Sequence, residues 1–74
     1  MKQTLPPLLM RTLAIFSSIL YEFPDTKEQA HHSFYLYEHG YLERERRLPP
    51  NEAELRWAYR RTAKGSEMIG ATST

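Results

Sequence analysis

The 74-residue sequence contains no cysteine, only three glycines and one tryptophan, and its ten basic side chains nearly balance nine acidic ones. Without cysteine, neither a disulfide nor a cysteine-ligated zinc ion can supplement a small hydrophobic core. Packing and self-association therefore have to stabilise a single small domain. Because small secreted domains usually need disulfides, we expect a cytoplasmic protein.

An apolar segment near the amino terminus ends before Pro24. Arg11 interrupts this segment and Glu22 closes it, so it is shorter than the roughly 20 apolar residues of a membrane-spanning helix. No small-residue cleavage site follows it. We therefore expect neither a membrane span nor a signal peptide.

The same segment predicts a first helix over residues 6–22. Pro6 and Pro7 suit a first helical turn, in which backbone N–H groups have no partner, and Pro24 disfavours a helix just before it. Apolar side chains cover most of the helical circumference. Such a helix is either the centre of a monomeric core or also a homodimer interface, and we favour the homodimer because two short helices cannot cover it all.

A second helix is predicted over residues 26–47. Asp25 is a typical N-cap residue, and Glu28 follows at the capping-box position. Gly40 can either end the helix or lie inside it at a cost of about 1 kcal/mol. Because YLERERR is rich in helix-forming residues, we favour a continuous helix with its kink at Gly40. The side chains that recur at helical spacing are those of Ala30, Phe34, Tyr37 and Tyr41.

A third helix is predicted over residues 52–64, between Asn51 as its N-cap and Gly65 as its C-cap, with Glu54 completing a capping box. Residues 66–74 show no sustained periodicity and are expected to form a flexible tail. The sequence thus predicts an all-α protein, in which residues 1–65 form a bundle of three helices completed by dimerisation.

The third predicted helix carries the candidate binding site. Helical spacing places Arg56, Arg60 and Lys64 on one face, with Trp57 and Arg61 beside them. An indole among arginines can anchor a protein interface, or it can stack on a base while the arginines neutralise phosphates. It can equally pack beneath the second helix as part of the core.

Tyr35 is a further candidate contact residue, because it points away from the main apolar face of the second helix. Tyrosine supplies contact area at low entropic cost. The alternative is that Tyr35 packs against the first helix of a second subunit.

No pattern of catalytic or metal-ligating residues stands out. Glu28, His32 and His39 lie on one side of the second predicted helix, but no second cluster completes a metal site and no HExxH motif is present. Glycine-rich phosphate loops and nucleophile elbows are also missing. We expect a protein that is not an enzyme and has no catalytic residue, cofactor or metal.

The segment NEAELRWAYRRTAK resembles the second helix of a J-domain co-chaperone, which has a similar run of acidic, aliphatic, basic, alanine and tyrosine residues. In that family a His-Pro-Asp loop follows the helix. Here Gly65, Ser66 and Glu67 stand in its place. The resemblance covers only this short basic segment, and we assign no chaperone function from it.

A small chain without a catalytic pattern is expected to act mainly by binding another molecule through its surface. We expect a regulatory or inhibitory protein that binds a protein partner, like the accessory factors of phages and other mobile elements. Glu43 and Glu45 interrupt the arginine cluster and the net charge is only +1, which favours a protein over a nucleic acid. The alternative is a DNA- or RNA-binding regulator, with the second and third helices as a helix-turn-helix. A structural subunit of an assembly is a third class.

Overall fold

The computed structural model describes residues 5–72 and shows three helices with a two-stranded antiparallel sheet. The protein is therefore α+β, and the predicted all-α bundle is wrong. The elements in chain order are α1 (Pro7–Ile15), α2 (Lys27–Glu38), β1 (Leu42–Arg47), β2 (Arg56–Arg61) and α3 (Ala63–Thr72).

Helix α1 ends at Ile15, seven residues before the predicted end at residue 22. Phe16 already has an extended backbone, and the Ser17 hydroxyl accepts hydrogen bonds from the Ile19 and Leu20 N–H groups at 2.9 and 3.1 Å. A serine side chain that satisfies nearby backbone groups competes with the helix for them. The predicted long helix, with apolar side chains around most of its circumference, is thus replaced by a short helix and an exposed turn.

Helix α2 begins one residue later than its predicted capping box. Thr26 is the N-cap, since its hydroxyl accepts the Gln29 N–H at 3.1 Å, and the Gln29 side chain accepts the Asp25 N–H at 2.8 Å. The cap thus uses Thr26 and Gln29 in place of Asp25 and Glu28.

Gly40 ends helix α2, so the predicted continuation to residue 47 is wrong. Its φ of +83° is in the left-handed region that suits glycine. The Gly40 N–H donates to the Tyr37 carbonyl at 3.1 Å, and the Tyr41 N–H donates to the Leu36 carbonyl at 2.9 Å. These two bonds form a Schellman motif, which turns the chain out of the helix and into β1.

Strands β1 and β2 pair in antiparallel register from Leu42 opposite Arg61 to Arg47 opposite Arg56. β1 replaces the last six residues of the predicted second helix, and β2 replaces six residues in the middle of the predicted third helix. Asn51, the predicted N-cap of that helix, lies in the connecting loop with a φ of +64°.

Each strand has two faces, because side chains alternate along it. The face turned toward the helices, called here the helix-side face, carries Leu42, Arg44, Arg46, Trp57, Tyr59 and Arg61. The opposite face, called the outer face, carries Glu43, Glu45, Arg47, Arg56, Ala58 and Arg60. Glu22 extends the sheet beyond β2, since its N–H and carbonyl both bond to the backbone of Tyr59, at 3.0 and 2.8 Å.

The hydrophobic core lies between the helices and the helix-side face. Its buried cluster consists of Leu13, Phe16, Leu36, Tyr41, Leu42 and Tyr59. Phe16 and Tyr59 connect α1 to the sheet, with ring centroids 5.9 Å apart. Tyr41 and Tyr59 are thus core residues.

Helix α3 occupies part of the predicted flexible tail: residues 66–72 belong to it, and residues 73 and 74 lie outside the described residues. Thr62 caps the helix through its hydroxyl, which accepts the Gly65 N–H at 3.1 Å and donates to the Gly40 carbonyl at 2.7 Å. Gly65 is not the predicted C-cap but a buried residue inside α3, where a methyl group would lie 2.1 Å from the Tyr41 carbonyl oxygen.

Among residues 5–72, no helix combines the length and the apolar character required to cross a membrane.

Candidate functional site

The structure divides the predicted basic face between three places. Arg56 and Arg60 lie on the outer face of the sheet, Trp57 and Arg61 lie on the helix-side face, and Lys64 lies in the first turn of α3. Neighbouring residues of a strand point to opposite sides, whereas helical spacing had grouped them. Residues 5–72 therefore contain neither the predicted basic helix face nor the alternative helix-turn-helix.

The outer-face arginines are paired with carboxylates. Arg60 forms a salt bridge and hydrogen bonds with Glu43, Arg47 contacts Glu45 at 3.1 Å, and Arg56 contacts Glu52 at 3.2 Å in the loop. Exposed pairs of this kind contribute little to stability. Their effect here is to balance the charge of the outer face.

Tyr21 lies against this paired network. Its hydroxyl donates to Glu43 at 3.2 Å, and its ring lies 4.4 Å from the Arg60 guanidinium. Burial raises the pKa of Tyr21 above its ordinary value, and the Glu43 carboxylate raises it further while Arg60 opposes the change. The hydrogen bond with Glu43 also raises the pKa of Arg60.

Two more of the predicted contact residues lie at the carboxyl end of α2. The Lys64 ammonium donates to the His39 carbonyl at 2.8 Å and lies 4.6 Å from the Tyr41 ring. A cation at this position complements the helix dipole. The Tyr35 ring contacts the His39 ring at a tilt of 44°, with centroids 4.2 Å apart, and stays exposed. Lys64 thus has a structural role at the carboxyl end of α2, where Tyr35 contacts the same residue, His39.

Trp57 is the centre of a different cluster, the aromatic–arginine patch, which consists of Phe34, Tyr37, Arg44, Arg46 and Trp57. The Arg44 guanidinium carbon lies 3.9 Å from the Trp57 ring centroid, 4.2 Å from that of Tyr37 and 5.3 Å from that of Phe34. The Arg46 guanidinium lies 5.1 Å from the Trp57 ring. Trp57 is 38% exposed, Tyr37 36% and Phe34 41%.

Local geometry explains how these five side chains meet. Phe34 and Tyr37 are three residues apart on α2 and lie on the same side of the helix, with ring centroids 6.2 Å apart. Arg46 is directly opposite Trp57 in the hairpin, and Arg44 is its diagonal neighbour on the same face. The patch therefore requires both α2 and the strand pairing.

The patch carries positive charge that no carboxylate of residues 5–72 neutralises through an ion pair. Both strands place only arginine, aromatic and leucine side chains on the helix-side face. Within residues 5–72, Arg44, Arg46 and Arg61 form no ion pair with a carboxylate, and the buried Nε atoms of Arg44 and Arg61 have no hydrogen-bond partner. The helix-side face is cationic, in contrast to the balanced outer face.

Sequence reasoning identified Trp57 but missed Arg44, Arg46, Phe34 and Tyr37 as its neighbours. The signal was present as alternation: Trp57 and Tyr59 are two residues apart, as are Arg44 and Arg46. Such period-two spacing is typical of strands.

A separate groove of about 260 Å³ lies between α1 and the start of α2. Its lining residues include Leu8, Arg11, Thr12, Ile15, Gln29 and His32. In the part of the chain that the structure describes, no three histidine, aspartate or glutamate side chains converge as metal ligands would.

Comparisons of the chain with protein-family models, with curated proteins and with solved structures found no match.

Proposed function

We propose that the protein is a small non-enzymatic regulator that binds an acidic segment of another protein through the aromatic–arginine patch. The observation that carries this proposal is the exposure of Trp57, Tyr37 and Phe34 beside arginines that have no carboxylate partner among residues 5–72. Tryptophan, tyrosine and arginine are the residues that most often dominate interface energetics. Unbalanced guanidinium groups also favour an anionic partner.

The arrangement of the rings favours a protein over a nucleic acid. Single-stranded nucleic acids bind by stacking bases on open aromatic faces. Here the Arg44 guanidinium lies 3.9 Å from the Trp57 ring and 4.2 Å from the Tyr37 ring, so it covers one face of each ring against a stacking base. The net charge of +1 is also low for a nucleic-acid binder.

The regulatory role is the broader part of the proposal. A chain of 74 residues can act by covering a surface of its partner and so inhibiting or redirecting that partner's activity. An accessory factor of a phage or mobile element, acting in the cytoplasm, fits this description.

Fluorescence of Trp57, the single tryptophan, tests the proposal. The full chain is titrated with a short glutamate-rich peptide, with the matching lysine-rich peptide and with single-stranded DNA, at low and physiological salt. We expect the glutamate-rich peptide to change the emission and to bind about tenfold more weakly to Arg46→Ala, as loss of a charge-assisted contact predicts.

Arg56→Ala is the matched control, because Arg56 is an exposed arginine of the same hairpin but lies on the outer face. It should leave peptide binding unchanged. Tighter binding of DNA than of the glutamate-rich peptide would instead assign the patch to a nucleic acid. Binding of none of the three probes would show that the proposal is wrong.

We also propose that the protein forms a homodimer. The support for this comes from a surface other than the aromatic–arginine patch. The turn after α1 exposes 75% of Ile19 and 68% of Leu20, and Leu8 and Ile15 on α1 are also exposed. Exposed apolar side chains on a small chain favour self-association. Sedimentation equilibrium at micromolar concentration tests this, and a clean monomer would contradict it.

A further inference from the structure

The outer edge of β1 presents backbone groups that point away from β2. Tyr59 exchanges two hydrogen bonds with Glu22, at 2.8 and 3.0 Å, so its N–H and carbonyl point away from β1. Successive residues of an antiparallel strand bond alternately to its two sides. Arg44, which lies opposite Tyr59, therefore directs its own N–H and carbonyl to the outer edge, and so does Arg46.

These groups have no hydrogen-bond partner elsewhere in residues 5–72. None of the backbone bonds outside the helices and strands involves Arg44 or Arg46, and no side chain bonds to their backbone. An edge of this kind is a template for an additional strand. Addition of an extended segment to a sheet edge is a common mode of peptide recognition.

A second copy of the chain is a poor occupant of this edge. In the antiparallel registers that pair most of both β1 strands, Arg44 lies opposite either Arg44 or Arg46 of the second copy. Like charges directly opposite each other destabilise a strand pair. The edge therefore disfavours pairing with itself.

An acidic segment fits the edge in both charge and spacing. In an antiparallel pair, residues opposite Arg44 and Arg46 place their side chains on the helix-side face, where the arginines have no carboxylate partner within residues 5–72. The residues between them lie on the outer face, beside Glu43 and Glu45, whose carboxylates already contact Arg60 and Arg47. The partner segment therefore needs an acidic side chain only at every second position.

We infer that the partner segment adds to the sheet as an extended antiparallel strand along the outer edge of β1, with acidic side chains at alternate positions opposite Arg44 and Arg46. This inference rests on the proposed function and specifies the conformation and charge pattern of the partner. Within β1, Arg44 and Arg46 are the arginines without a carboxylate partner in residues 5–72, and their backbone groups also point to the outer edge.

The test uses a peptide in which glutamate alternates with threonine, and two isomers that carry N-methyl groups either on the glutamate amides or on the threonine amides. In the antiparallel arrangement the glutamate N–H groups face β1 and the threonine N–H groups face solvent. Binding to the full chain is measured by Trp57 fluorescence.

We expect methylation of the glutamate amides to weaken binding at least about tenfold, because it removes several backbone hydrogen bonds. Methylation of the threonine amides should change binding less than about twofold, since those groups remain in solvent. The two isomers have the same composition and charge, so each is the control for the other.

The remaining outcomes separate the two proposals. Equal binding of both methylated isomers would overturn strand addition and leave the proposed function intact as contact through side chains. Weaker binding of the threonine-methylated isomer would overturn the antiparallel arrangement, because a parallel strand presents the other set of amides. If a lysine and threonine peptide binds as well as the glutamate peptide, or if no acidic peptide binds, the proposed function itself is wrong.

Discussion

The guanidinium of Arg44 lies 3.9 Å from the ring centroid of Trp57, and together they connect the two strands of the hairpin across the helix-side face. The same guanidinium faces Tyr37 and Phe34 on α2. Arg44 thus joins three elements of the chain and sets the position of the indole. Arg46, which lies 5.1 Å from the same ring, is more exposed.

Arg44→Ala should lower the free energy of unfolding by about 1–3 kcal/mol, because it removes cation–π contacts with three rings and the packing of the arginine stem. Arg46→Ala removes an exposed arginine of the same strand and should change the free energy of unfolding by less than about 0.5 kcal/mol. Urea denaturation followed by circular dichroism measures both. Equal effects of the two substitutions would contradict the central position of Arg44.

Gly65→Ala should destabilise the protein by at least about 2 kcal/mol, because the new methyl group overlaps the backbone of Tyr41. Gly70→Ala is the control within the same helix, since a methyl group there has no atom within 4 Å. It should stabilise α3 by up to about 1 kcal/mol through helix propensity. Thermal unfolding of both variants provides the comparison, and similar melting temperatures would show that Gly65 does not contact Tyr41 so closely.

Gly40→Ala should cost about 1–2 kcal/mol, because alanine is strained at the φ of +83° that Gly40 adopts. Gly40→Asn should cost less, since asparagine tolerates the left-handed region better. Urea denaturation of the two variants tests this order. Stabilisation by alanine is the result expected of a continuous helix through residue 40, and it would contradict the Schellman motif.

Tyr21 should make stability depend on alkaline pH. Its pKa in the folded protein is raised above the ordinary value of 10.0 by burial and by Glu43, so the folded state retains its proton more strongly than the unfolded state. The resulting stabilisation is fully present below about pH 10 and is lost as the pH rises through the folded pKa.

Glu43→Gln should lower the pKa of Tyr21, because it removes a negative charge beside the hydroxyl. NMR titration of carbon-13-labelled tyrosine, with Tyr21 assigned, measures the change. Glu45→Gln is a milder comparison, since Glu45 makes the smallest contribution to the shift. An unchanged titration in Glu43→Gln would show that burial alone sets the pKa.

The starts of α1 and α2 were largely readable from the sequence, but the start of α3 and the conformation of the charged segments were not. Pro6 and Pro7 correctly indicated the first helix, and Gly40 was recognised as a position that could end the second. The segments YLERERR and ELRWAYRR are locally helix-forming, and only their pairing with each other makes them strands. Long-range pairing of this kind overrides local propensity, and no single window of sequence reports it.

The candidate site was only partly predictable from the sequence for the same reason. Trp57, the only tryptophan, was predicted as a contact residue with a core position as the alternative, and in the structure its ring is partly exposed beside arginines. Its actual neighbours depend on strand register, which a helical projection cannot provide. Once the segment is a strand, Arg56 and Arg60 move to the outer face while Arg44 and Arg46 join the indole.

The hydroxyl of Thr62 caps α3 and also holds the Gly40 carbonyl, while the Thr62 N–H donates to the Tyr41 carbonyl at 3.1 Å. Thr62 thus connects the turn that ends α2 to the start of α3. Opening of that turn removes the N-cap of α3, so the two regions should fluctuate as one cooperative unit. Hydrogen exchange at the Gly40, Tyr41 and Gly65 amides would then report a common opening event. The turn that ends α2 and the first turn of α3 would thus have the same lifetime, although the whole hairpin separates them in the sequence.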